Sequence, residues 1–455
     1  MATVGDLRGY QTEAIRKVYG EMRAGRTRVC LVVPTGGGKT RIGAEVARQG
    51  ASQGRSIIWL VHRRELVDQA AGTLHAAGLD VGVIAATSSW PVRPDAPVQV
   101  ASVQTLVARE SIRPPAHLLI WDECHHAGEA AAEWVSILDS YPGVPMLGLT
   151  ATPERSDGTG LGPIFTGLVV GVTARQLTAQ GHLAPCEVVR PDRWLKAGRQ
   201  SGNPLAQDPL DAYLQNANGR QGFLFAASVE EAESYAESFT RRGVRAVAVS
   251  AKTEPETRAR AIHDFRSGFV RILCNVFVFT EGTDLPEASV CILARGCGTA
   301  GTFLQMVGRV LRPTDKKKNA ILLDLPGVTH VHGMPEDERH WRLTGKACVL
   351  AGQRCRVCGV AIEDYPCPSC GIGAPEVEER GSAHTEITND PLVKYARKIA
   401  EGPEQRRETA IRWIKAALLK GHKPTSVLFR WKAVYQEDMP RALYSEALRE
   451  AEHAS

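Results

Sequence analysis

Residues 29–40 read Val-Cys-Leu-Val-Val-Pro-Thr-Gly-Gly-Gly-Lys-Thr, and no other stretch restricts the fold as strongly. An apolar run breaks at Pro34 into Thr35, Gly36, Gly37 and Gly38, and then into Lys39 and Thr40. This is the grammar of a buried strand that empties into a phosphate-binding loop and opens a helix. The glycines let backbone N–H groups close on an anion, Lys39 is placed to neutralise β- and γ-phosphates, and Thr40 to hold Mg²⁺. The strict eight-residue form of the motif has a glycine where this chain has Val33. On this stretch alone, a Gly-rich turn between a strand and a helix is a competing reading.

The 455 residues allow about three domains, and a hydrophobic content of 43% is ample for buried cores. A net charge of +5 permits a nucleic-acid partner without requiring one. The cysteine count, 11, is odd, and the first residues have neither the basic segment nor the apolar core of a signal peptide. The expectation is a reducing cytoplasm with no disulfide framework. No apolar run reaches the length of a membrane span, so no membrane partner is expected.

Upstream of the loop, Leu7-Arg8-Gly9-Tyr10-Gln11 precedes a helix-like stretch, Thr12 to Met22. Gln11 can make paired hydrogen bonds to an adenine edge and Arg8 can stack on its face, although a surface glutamine on a helix is the plainer alternative. Downstream, the apolar run Ser56 to Val61 ends in His62-Arg63-Arg64, basic residues at the ligand-bearing edge of an α/β sheet. They suit the phosphates of a polymer, or the solvated start of a helix. Val98 to Ser102 is followed by Gln104 and Thr105 at the same edge. Leu118 to Trp121 runs directly into Asp122-Glu123-Cys124-His125, and two carboxylates at the end of an apolar strand are costly unless they are used. Asp122 is placed to hold Mg²⁺ through water, and Glu123 to orient and deprotonate an attacking water. Met146 to Leu149 ends in Thr150-Ala151-Thr152-Pro153, whose hydroxyls can relay a nucleotide state to a polymer path or simply make a turn. The alternation of short apolar runs and helix-length segments up to residue 182 predicts a mostly parallel sheet with helices on both faces.

Leu-Arg-Gly-Tyr-Gln, Pro-Thr-Gly-Gly-Gly-Lys-Thr, His-Arg-Arg-Glu-Leu, Asp-Glu-Cys-His and Thr-Ala-Thr-Pro, in that order, resemble the motor motifs of superfamily 2 helicases. The Asp-Glu-Cys-His form is similar to the DEAD/DEAH-box DNA helicases of bacteria and phages. In that family the phosphate loop begins Ala- or Pro-Thr-Gly, which accommodates Val33. The resemblance implies two tandem RecA-like parallel-sheet lobes, residues 1–182 and 183–345, with ATP and Mg²⁺ in the cleft. It also implies polymer contacts through His62, Arg63, Gln104, Thr105, Thr150, Thr152, Ser228 and Thr280. Thr280-Glu-Gly-Thr-Asp284 is similar to the motif that links ribose and nucleic acid, with Gly282 for close backbone approach and Asp284 for a ribose hydroxyl. In Phe303-Leu-Gln305-Met-Val-Gly308-Arg309-Val-Leu-Arg312, the spacing predicts a helix that projects Gln305, Arg309 and Arg312 from one face. Two fixed cations aimed at a γ-phosphate are what phosphoryl transfer needs, and in the family the corresponding arginines act in cis.

Beyond the motor, Cys355-x-x-Cys358 and Cys367-x-x-Cys370 form two knuckles. Four thiolates on tight turns predict a closed, structural Zn²⁺ ribbon over residues 346–375. A linker and a helical tail are expected over 376–455, with helices near 391–401, 405–420 and 439–452. The basic and aromatic run Leu428 to Lys432 fits either a nucleic-acid contact or a packing surface. The sum is an ATP-dependent translocase or helicase, with DNA the expected polymer. An RNA-dependent motor, the motor subunit of a restriction or nuclease system, and a scaffold without turnover are the alternatives.

Overall fold

The apolar runs of the first lobe assemble into one sheet in the computed structural model. Its strands are β1 (Arg28–Val32), β2 (Ile57–Val61), β3 (Val81–Ile84), β4 (Val98–Ser102), β5 (Leu118–Asp122), β6 (Met146–Thr150) and β7 (Gly167–Val170). They lie in the order β3-β4-β2-β5-β6-β1-β7, and every neighbouring pair is parallel. β2, β4 and β6 are buried along their whole length, which is why they read as continuous apolar runs instead of alternating ones. Helices α1 (Gly9–Arg23) and α2 (Lys39–Ser52) belong to this lobe. A Cβ on Gly43 would stand 2.6 Å from the Trp59 ring, so this glycine lets α2 settle directly onto the sheet.

The second lobe repeats the architecture. Its strands are β8 (Cys186–Pro191), β9 (Asn203–Leu205), β10 (Gly222–Ala226), β11 (Ala246–Val249), β12 (Ile272–Asn275), β13 (Val290–Ala294) and β14 (Ala320–Asp324). Four short strands follow: β15 (Arg339–Trp341), β16 (Cys348–Leu350), β17 (Thr385–Ile387) and β18 (Leu392–Ala396). The main sheet runs β11-β12-β10-β13-β14-β8-β18, parallel throughout except for β18, which lies antiparallel to β8. β17 pairs with β9, and β15 with β16.

The structure corrects two expectations. The sequence predicts a helix near 391–401, but 392–396 form an edge strand, because β8 offers an unpaired edge and the Arg190 guanidinium covers Tyr395 at 4.4 Å. The ribbon is expected to begin at residue 346, but residues up to 350 complete the β15–β16 hairpin.

The structure describes residues 7–62, 65–109, 113–128, 131–193, 195, 203–279, 284–350, 385–396, 410, 411, 414, 428, 439 and 441–453. They fall into two units, Met1–Ala396 and Arg397–Ser455. In the second unit, the helix Arg441–His453 is present where a helix is expected, and Ala410, Ile414, Met439 and Ala447 share a small core. Among the described residues no helix is long and apolar enough to cross a membrane.

Candidate functional site: a cleft between the lobes

The carboxyl ends of β1 and β5 lie one strand apart, separated by β6. This brings the loop after β1 and the acidic pair after β5 to one edge. Gly36 and Gly38 both adopt positive φ, 85° and 83°, and Gly38 is the residue before α2. A side chain at Gly38 would run into the Gln11 amide 2.5 Å away, so the loop closes tightly against α1. A cavity of about 320 Å³ opens above it. Its lining includes Thr35, Gly36, Gly38, Lys39 and Thr40 of the loop, Asp122 and Glu123 of the first lobe, and Arg309 and Arg312 of the second. Leu66, which ends the His-Arg-Arg-Glu-Leu motif, and Gln69 and Thr73, which carry no motif signature in the sequence, also line it.

Glu123 has φ 50°, an uncommon conformation for a residue with a side chain and a mark of local constraint. Its carboxylate stands 3.4 Å from Lys39 Nζ and 3.5 Å from His125 Nδ1. His125 Nδ1 is also 3.1 Å from the Thr150 hydroxyl, while its Nε2 is 3.0 Å from Gln305 Nε2 of the second lobe. Gln305 further donates to Thr152 Oγ1 at 3.3 Å. Thr150 and Thr152 are fully buried, and the Thr150 hydroxyl donates to the Thr152 carbonyl at 2.9 Å. Both threonines therefore lie inside the junction between the lobes, in a chain of contacts running from Glu123 to Gln305, and not on a surface open to a polymer.

The expected helix face bearing Gln305, Arg309 and Arg312 is shorter than the spacing suggests. The helix Ala300–Gly308 ends before both arginines. Arg309 and Val310 close the turn with i to i−3 bonds, and Arg312 stands beyond it, ahead of Pro313. Gly308 lets the helix end approach the loop, since a Cβ there would lie 2.7 Å from Thr35 Cβ. Arg312 forms an ion pair with Asp284, and burial draws its pKa down. Asp284, to which the resemblance assigns a ribose contact, is thus the partner of an arginine in this conformation. Lys317 braces the same segment by donating to the carbonyls of Ala288, Val310 and Arg312 at 2.6, 3.2 and 2.6 Å.

On the other side of the loop, Gln11 is buried, at 2% exposure, and its Oε1 accepts from the Arg8 backbone N–H at 3.0 Å. It belongs to the first turn of α1, so the surface-glutamine alternative is excluded. Tyr10, a member of the same motif to which the sequence assigns no role, donates its hydroxyl to the Gly37 carbonyl at 2.8 Å and packs 5.8 Å from the His182 ring. Arg8 remains exposed beside them.

Of the remaining expected polymer contacts, Gln104 donates to the His62 carbonyl at 2.8 Å and accepts from Ser102. Thr105 is buried, and the Ser228 hydroxyl caps the helix Val229–Arg241 by accepting from Glu231 N. The His62 ring stacks on His126 at 5.0 Å. Arg63, Thr280, Gly282, Cys355, Cys358, Cys367 and Cys370 lie outside the described residues. The other seven cysteines are buried free thiols, and among the described residues no cluster could hold a metal through His, Cys, Asp or Glu.

Residues 5–155 match the family described as "Type III restriction enzyme, res subunit", and residues 206–314 match the "Helicase conserved C-terminal domain". The chain belongs to the superfamily 2 helicases. This helicase is similar to a 51.5 kDa protein of a Lactococcus phage, with 28% identity over 87% of the chain and 90% of the phage protein. It is also similar to an archaeal protein of Sulfurisphaera tokodaii described as a DNA 3'-5' translocase, with 26% identity over 70% of the chain and 81% of that protein. A solved fragment from Vibrio vulnificus, assigned as an HsdR subunit of a type I restriction enzyme, shares the fold. Its TM-score is 0.56 at 20% identity, covering 72% of this chain and 66% of the fragment.

Proposed function

We propose that this helicase hydrolyses ATP in the cleft between its lobes and uses the cycle to translocate on DNA. The observation that carries this reading is one cavity lined by Lys39, Thr40, Asp122, Glu123, Arg309 and Arg312, groups of both lobes. Its donor set fits a magnesium nucleotide: a loop with backbone N–H groups and an ammonium for phosphates, and a hydroxyl and a carboxylate for the metal. Mg²⁺ held by Thr40 and Asp122 would offset phosphate charge. Gln11, with Arg8 and Tyr10, takes the adenine. Lys39 turns from Glu123 to the β- and γ-phosphates, leaving Glu123 to orient the attacking water and accept its proton. Arg309 and Arg312 stabilise charge as the γ-phosphoryl group departs. The chain from Glu123 through His125 to Gln305 links this base to the second lobe, so turnover responds to lobe closure.

DNA is favoured as the polymer by the similarity to a protein described as a DNA translocase and by the matched restriction-enzyme family. Steady-state ATPase rates with single-stranded DNA, duplex DNA, forked DNA and RNA test this. DNA is expected to stimulate turnover more strongly than RNA. Equal or greater stimulation by RNA overturns the choice of polymer, and no stimulation by any of them overturns the motor reading.

Cys355, Cys358, Cys367 and Cys370 are proposed to hold one structural Zn²⁺, since four thiolates fill a tetrahedral shell with no open position. Metal analysis of protein purified without added zinc is expected to find one zinc per chain. A folded, active and zinc-free protein rejects the ribbon. Thiolate ligands and seven buried free thiols suit a reducing compartment such as the cytoplasm.

A further inference from the structure

The helix Ala300–Gly308 presents Gly301, Gln305 and Gly308, spaced i, i+4 and i+7, to the first lobe. Gly308 abuts Thr35, Gln305 reaches His125 and Thr152, and the third contact is made by a residue outside the helicase motifs. The Gly301 backbone N–H donates to Glu154 Oε2 at 2.6 Å, across the cleft. Thr302 N is already taken by Thr299 Oγ1 at 3.2 Å, so Glu154 satisfies a donor at the helix start that the helix itself leaves open. A Cβ on Gly301 would lie 3.1 Å from that carboxylate oxygen and 3.3 Å from Thr152 Oγ1, so any larger residue there crowds the contact by a few tenths of an ångström.

Glu154 is only 6% exposed, and a carboxylate is rarely buried so deeply without a use. Burial pushes its pKa up to about 7, against the lowering effect of the Gly301 N–H and the positive charges of Lys346 and Arg339. The loop that carries it is held from behind. Gly160 N and Gly162 N donate to the carbonyls of Gly345 and Leu343, and Ala347 N donates to Gly158, so the turn joining β15 to β16 grips residues 158–162 of the first lobe.

We infer that Glu154 is a positioning residue for ATP hydrolysis: by anchoring the start of helix Ala300–Gly308 across the cleft, it sets the reach of Arg309 and Arg312 into the nucleotide cavity. The lever is the helix itself. Gly301 and Arg309 are separated by about 12 Å along the axis at 1.5 Å per residue. Without the anchor the helix pivots about Gln305, about 6 Å along the axis from Arg309, and a swing of about 10° displaces the arginines by about 1 Å, which can cost on the order of 10²-fold in rate. The inference rests on the proposed role of the two arginines in turnover, so Arg309→Ala is carried through the same assay.

The test measures basal and single-stranded-DNA-stimulated ATPase of the full chain at saturating ATP, together with the Kd for AMP-PNP. Glu154→Ala is expected to lower kcat about 10- to 100-fold with the AMP-PNP Kd within about twofold of wild type. Glu154→Gln, whose amide oxygen can accept the same bond, is expected to recover most of that loss. Gly301→Ala, which crowds the same carboxylate, should lower kcat alone but add little to Glu154→Ala. Wild-type kcat in Glu154→Ala, a loss confined to nucleotide affinity, or full additivity of the two substitutions overturns the inference. If Glu154→Ala does not fold, wild-type kcat in Gly301→Ala overturns it equally. An inactive Arg309→Ala beside a fully active Glu154→Ala sinks this inference alone, whereas an active Arg309→Ala sinks the earlier reading.

Discussion

Glu123→Gln is expected to keep ATP bound and to lower turnover by 10²- to 10⁴-fold, the range that a positioned general base supplies (~3–5 kcal/mol of barrier). The constrained backbone at Glu123 and its place between Lys39 and His125 put its carboxylate at the cavity wall without burying it in an apolar core. Glutamine keeps the shape and loses the ability to accept a proton. Lys39→Ala should behave in the opposite way, weakening nucleotide binding itself, because its ammonium neutralises phosphate in the bound ground state. Titration of a fluorescent nucleotide analogue and single-turnover hydrolysis separate the two effects. Turnover of Glu123→Gln within a few-fold of wild type removes Glu123 from the role of base.

Arg309→Ala and Arg312→Ala should each lower turnover on the order of 10³-fold while leaving ATP affinity within a few-fold, as for arginines that act on the departing γ-phosphoryl group. Arg309 is buried at the end of the helix Ala300–Gly308, whereas Arg312 is tethered to Asp284 and braced through its carbonyl by Lys317. The two therefore reach the cavity from different backbone contexts, and neither substitutes for the other. Steady-state ATPase at saturating nucleotide and nucleic acid gives the result directly. Wild-type stimulated turnover in both variants rejects their role as finger residues.

Several features of this helicase are legible in the amino-acid sequence alone, because they depend on short-range geometry. A continuous apolar run, a proline, three glycines and Lys-Thr specify a strand, a turn with positive φ and a helix start within a dozen neighbouring residues. Asp122 and Glu123 are legible for the same reason: an apolar run that ends abruptly in carboxylates must deliver them to the edge of a sheet. Length and apolar content allow about three domains with buried cores, and the two tandem sheet lobes are legible only through the resemblance that the motifs carry.

What tertiary structure decided is what pairs residues distant in sequence. The period of residues 303–312 suggests a single helical face, yet closure against Thr35 and the approach of Pro313 end the helix at Gly308. Residues 392–396 read as part of a helix in the sequence, and the free edge of β8 selects strand instead. Thr150 and Thr152, read from sequence as a relay or a turn, are buried, and their contacts to His125 and Gln305 come only from the tertiary structure. Tyr10 sits within a motif without a role of its own there and Glu154 has no local signature, since the value of each lies in one hydrogen bond, to the Gly37 carbonyl and from the Gly301 N–H. The sequence by itself determined which local units the chain builds and the chemical groups they carry. Only the packed lobes decided which of those groups meet, because a contact between residues far apart along the chain depends on the whole fold and leaves no periodicity or composition to read.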